Sequence, residues 1–84
     1  MTRYTVVWTQ SAQDELAELW LMAQDRDAVT SAAHAIDQEL TQDAPSKGQE
    51  LHEGLRFLTI SPLKVIFTAS AEDRAVEVVR TRTM

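Results

Sequence analysis

The chain has 84 residues, 44% of them hydrophobic, with no cysteine; this is the length of one domain, 1–84, with enough apolar content to fold, and it excludes disulfide frameworks, thiolate metal sites and thiol nucleophiles. The net charge of −5 is unevenly placed: residues 1–43 hold two bases against eight acids, a net of −6, and residues 44–84 hold six bases against five acids, a net of +1. An acidic chain is a poor general binder of phosphate backbones, so any anion-binding surface belongs to the C-terminal half.

Tyr4 to Thr9 is β-branched and aromatic, and predicts a strand with Tyr4, Val6 and Trp8 on one face. Ser11 is the expected N-cap of a first helix, with Asp14 three residues on. Ala12, Leu16, Leu19, Trp20 and Ala23 form its apolar stripe, and Asp14, Glu15 and Glu18 lie off that stripe, toward water. Asp27 is the expected cap of a second helix with the stripe Val29, Ala32, Ala33, Ile36 and Leu40, ending before Pro45. So short a join makes the two helices an antiparallel hairpin.

The remainder predicts three strands: Leu55 to Ile60, Leu63 to Thr68, and Ala75 to Thr83 with Val76, Val78, Arg80 and Arg82 on one face. Short turns make them an antiparallel meander. The expected fold is α+β, in the order β-α-α-β-β-β, with the helical hairpin covering one face of an antiparallel sheet. No apolar stretch approaches the ~20 residues of a membrane span and no signal-like apolar run follows Arg3, so a cytoplasmic protein without membrane contact is expected.

Five segments in this order resemble the RelE/ParE toxins of bacterial type II toxin–antitoxin pairs. They are Trp8-Thr-Gln-Ser-Ala12-Gln-Asp-Glu-Leu16 at the strand-to-helix turn, Pro45 and Gly48 after the second helix, Gly54-Leu55-Arg56, Lys64-Val65-Ile66-Phe67, and Glu77-Val78-Val79-Arg80. The resemblance covers nearly the whole chain. It implies a growth-inhibiting toxin of the kind linked to plasmid stabilization, neutralised by a cognate antitoxin protein, with a homodimer or a heterotetramer with antitoxin as possible assemblies. It implies one of two targets, DNA gyrase or the ribosome, the latter through metal-independent mRNA cleavage. The gyrase-directed, ParE-like branch fits somewhat better. The family's Tyr-Arg and later Tyr are replaced here by Leu63-Lys64 and Phe67, the chain is acidic, and it stops at Arg82-Thr83-Met84 without a further basic cluster.

Ribonuclease chemistry without a metal needs cations to stabilise a phosphorane and groups to move protons. Arg56, Lys64, Arg80 and Arg82 are the candidate target-binding residues, and the resemblance places Lys64 and Arg80 on the strands that carry the nucleases' basic residues. Solvent-facing positions on an antiparallel sheet account for them equally well, and for Arg56 better. No catalytic residue is assigned: His34 lies in the second helix and His52 in the loop before the second strand, neither at the family's catalytic position. No metal-ligand spacing and no phosphate-cradling glycine motif is present, so no metal and no cofactor is expected. Trp8, Trp20, Phe57 and Phe67 suit core or antitoxin contact better than base stacking. A toxin-fold protein acting only as a protein-interaction module is the alternative function.

Overall fold

The computed structural model describes residues 3–84. The elements are β1 (Thr5–Trp8), α1 (Gln10–Met22), α2 (Arg26–Thr41), a short 3-10 turn (Ala44–Ser46), β2 (Gln49–His52), β3 (Leu55–Ile60), β4 (Leu63–Ser70) and β5 (Ala75–Thr83). The five strands form one sheet in the order β1-β5-β4-β3-β2. The α+β class and the helical hairpin are as expected, and β3, β4 and β5 are the antiparallel meander. Two features differ. β1 pairs parallel with β5, which makes the sheet mixed. The segment expected as a loop around His52 is an outer edge strand, β2, paired antiparallel with β3 across an irregularity between Glu50 and His52. All four β2 residues are exposed, so no buried face imposes an alternation that the sequence can display.

Both helix caps lie two residues earlier than expected. Thr9, not Ser11, caps α1: its Oγ1 accepts from the Ala12 amide at 3.1 Å, while its own amide donates to the Val78 carbonyl at 3.0 Å. The chain thus passes from strand to helix through one residue, and Ser11 falls inside the first turn. Asp25, not Asp27, caps α2, accepting from the Ala28 amide at 3.1 Å. Asp27 sits in the first turn, where a carboxylate complements the helix dipole.

The core lies between the hairpin and one face of the sheet. Ala12, Val29, Ala32, Ile36 and Leu40 meet Leu63, Val65, Phe67, Val76 and Val78, all buried. The stripe of α2 is therefore the main helical contribution; on α1 only Ala12 is fully buried, with Leu16 and Leu19 packed partly against the core. Gly48 is fixed by its surroundings: its φ is +65°, and a Cβ there would stand 2.0 Å from the Phe57 carbonyl oxygen.

One expected alternation breaks. Ile66 pairs with Arg80 and Phe67 with Val78, so Val79 is an extra residue in β5. The bulge reverses the facing of the strand's last residues. Val76, Val78 and Thr81 are buried toward the helices, whereas Arg80 and Arg82, expected on the face of Val76 and Val78, are exposed on the other. Thr81 is held inward by its hydroxyl, which donates to the Ala12 carbonyl at 3.0 Å. Among the described residues no helix is long and apolar enough to cross a membrane.

Candidate functional site

The β1–β5 ladder ends at Trp8 and Val78, so the last residues of β5 run beyond β1 with one backbone edge open. Helix α1 closes that edge through Glu15. One carboxylate oxygen, Oε1, accepts the Thr81 amide at 2.9 Å. The other, Oε2, accepts Arg80 Nη1 at 3.2 Å and also Arg82 Nη1. The Arg82 hydrogen bond above all, then the Thr81 amide and then Arg80, holds the Glu15 carboxyl below the usual carboxylate range against an opposing desolvation. Glu15 therefore does not face water with Asp14 and Glu18, as its place off the stripe suggested. It follows the fully buried Ala12 by three positions on α1, and that one-turn spacing is the signal that points it at the sheet edge.

Lys64 is paired in register with Arg82 on the outer face of β4 and β5, and its Nζ lies 4.6 Å from the centroid of the Phe57 ring. Three of the four candidate cations, Lys64, Arg80 and Arg82, thus gather at one end of the outer face. Arg56 does not join them. It is in register with the buried Phe67, on the helix-covered face, and donates from Nε to the Lys47 carbonyl at 2.9 Å and from Nη2 to the Gly48 carbonyl at 3.2 Å. Its work is to brace the chain entering β2. Neither histidine lies in the cluster: His52 Nδ1 accepts its neighbour's amide, from Glu53, at 2.8 Å, and His34 is on α2. Among the described residues no group of His, Asp and Glu is arranged to hold a metal ion.

A second surface lies on the opposite side of α1. The outer edge of β1 is closed at its start, where the Tyr4 amide donates to the Thr41 carbonyl at 2.8 Å and Arg3 bridges Gln42. Beyond that point β1 and the hairpin enclose an open groove of about 860 Å³. Val6, Val7 and Trp8 form one wall, Leu16, Ala17 and Trp20 another, and Ala33, His34 and Asp37 the third. Trp8 is fixed in its wall by its Nε1–H, which donates to Asp37 Oδ1 at 3.2 Å. Trp20 stands on the rim, 38% exposed, with the Arg26 guanidinium 4.6 Å from its ring centroid. Arg26 also donates to the carbonyls of Trp20 and Leu21, satisfying the last turn of α1. Leu21 and Met22, at the end of α1, are exposed apolar side chains. The groove has no lysine or arginine among its lining residues, and Asp37 is its one carboxylate. Of the aromatics, Phe67 is core and Phe57 supports Lys64, while both tryptophans belong to the groove.

No family model and no curated protein matches the sequence. Solved structures do match in fold. A chain of the toxin–antitoxin complex RelBE2 from Mycobacterium tuberculosis superposes with a TM-score of 0.82 at 17% identity, over 100% of this chain and 94% of that one. A chain of the chromosomal ParDE TA system from P. aeruginosa superposes with a TM-score of 0.71 at 18% identity, over 100% and 99%. The conserved hypothetical protein HP0892 from Helicobacter pylori gives a TM-score of 0.59 at 12% identity, over 95% and 93%. The chain has the RelE/ParE-like α+β fold of these structures.

Proposed function

We propose that this chain is the toxin component of a type II toxin–antitoxin pair, and that its antitoxin is held in the groove between β1 and the helical hairpin. The observation that carries the reading is that groove: a preformed apolar surface with two tryptophans in its wall and at its rim, on a chain that shares its fold with members of two toxin–antitoxin systems. An amphipathic antitoxin segment fills such a groove with apolar anchors at i, i+3, i+4 and i+7.

The target we favour is gyrase. Messenger cleavage needs proton-transfer groups beside the cations, with pKa values near the working pH. The carboxylate beside Arg80 and Arg82 is Glu15, which their hydrogen bonds make a weaker base, and both histidines lie elsewhere. A protein target needs no such groups, and an acidic chain meets a protein surface with less repulsion than it meets RNA. The alternative function, a toxin-fold interaction module without a toxic activity, is favoured by the same contact, because Glu15 already occupies the two arginines.

Induced expression separates these readings. Growth should stop when the chain is expressed alone and recover when the product of the adjacent short reading frame is co-expressed. Arg80→Ala should relieve the arrest at equal protein level, and Lys64→Ala should change it little. Normal growth at high soluble expression supports the interaction module. Loss of toxicity in Lys64→Ala together with ribosome-dependent messenger cleavage would replace gyrase by the ribosome.

A further inference from the structure

Three donors from consecutive residues of β5 converge on one carboxylate: the guanidiniums of Arg80 and Arg82 on one oxygen of Glu15, and the Thr81 amide on the other. We propose that Arg80, Thr81 N–H and Arg82 form a carboxylate-binding fork at the free end of β5. Glu15 is its resident occupant, and a Glu or Asp side chain of an acidic partner segment binds there by exchange with Glu15.

The fork is a product of two backbone features rather than of side-chain chance. The bulge at Val79 turns Arg80 and Arg82 together to the outer face and Thr81 inward. The end of the β1 ladder at Val78 leaves the Thr81 amide without a strand partner, free to donate sideways. Arginine donors plus an amide on the two oxygens of a planar carboxylate are among the stronger neutralising arrangements a protein offers. Lys64, opposite Arg82, adds a third positive charge within reach. Among the described residues, Glu15 is the one acid that bridges Arg80 or Arg82. Without its charge the end of the outer face holds three cations and no paired anion.

Exchange is sterically open. The two arginine side chains are 54% and 50% exposed, whereas Glu15 is 23% exposed. An incoming carboxylate therefore approaches over the arginines, and Glu15 can rotate toward the water already met by Asp14 and Glu18 on the same helix. A polyanion is a poorer fit than a peptide. The acids of α1 stand beside the fork and the N-terminal half carries −6, so an extended phosphate backbone meets repulsion that one carboxylate side chain avoids. Because Glu15 is tethered, it competes at a high effective concentration. The isolated chain should therefore bind simple acidic peptides weakly, and removal of the Glu15 charge should reveal the fork.

The test does not depend on toxicity and stands apart from the growth experiment. Wild-type protein and Glu15→Gln are titrated with an oligoglutamate peptide while the backbone amide and arginine side-chain signals are followed by NMR. The variant should bind at least about tenfold more tightly, with the largest shift at Thr81, and the gain should vanish when Arg80→Gln and Arg82→Gln are added. A folded Glu15→Gln protein with wild-type affinity would overturn the proposal. So would an oligothymidylate of the same length that shifts Thr81 as strongly as the peptide does. Should Glu15→Gln fail to fold, Glu15→Ala, which also removes the charge and keeps a strong helix former, provides the same comparison with the same two outcomes.

Discussion

At the scale of single residues, Glu15 does the most. It ends the sheet edge, bridges two arginines and ties α1 to β5. Its carboxyl is held below the usual range in the folded chain, so folding favours its ionised form. The stability this contributes is fully present above the unfolded-state value, about 4.3 for a glutamate, and is lost as the pH falls through the lower folded value. Urea unfolding of wild type and Glu15→Gln from neutral to acid pH should therefore show a stability difference that is constant near neutrality and shrinks on acidification. A difference independent of pH would mean that the contact contributes nothing through charge. The spacing from Ala12 sets the helix face of Glu15, but its partners were not legible for a physical reason: it lies 65 residues from Arg80, and helical periodicity does not report which distant donors reach around an edge. Lys64, Arg80 and Arg82 were legible as a group by their residue type on adjoining strands. Arg56 was already the weakest candidate among them, and the pairing register places it on the other face.

At the scale of elements, the apolar stripes carried the information and the exposed pieces did not. The stripe of α2 named four of the residues buried on that helix, Val29, Ala32, Ile36 and Leu40. β2 has no such stripe, and its existence depends on the Gly48 turn and the pairing with β3. The bulge in β5 was hidden because one extra residue reverses a strand's alternation without changing its composition. The burial pattern gives an ordered expectation for truncations. Ile36 is fully buried, so Ile36→Ala should cost ~2–5 kcal/mol, a large share of the stability of a small domain. Leu16 is only partly buried and lines the groove, so Leu16→Ala should cost less in stability while weakening partner binding. Denaturant midpoints of the two variants, at unchanged slope, check the order; equal losses would show that α1 packs as tightly as α2.

At the scale of the whole molecule, two surfaces of different chemistry lie on either side of α1: an apolar groove lined by one carboxylate and no lysine or arginine, and a cationic fork already filled by the chain's own acid. The charge asymmetry of the sequence foretold which half would hold the cations, but not that two of them would be paired by an acid from the other half. Acidic residues of the proposed antitoxin would find no lysine or arginine lining the groove, and the −6 of the N-terminal half would repel them along the helices. At the fork, one carboxylate would replace another, with little net change in charge pairing. Partner binding should accordingly rest on apolar side chains in the groove. The direct test is a titration of the chain with the product of the adjacent reading frame at rising salt. Affinity should fall little, or improve, between low and physiological ionic strength, where the Debye length shrinks to about 8 Å. A steep collapse of affinity over that range would mean that charge pairing holds the complex, and the groove-centred account would be wrong.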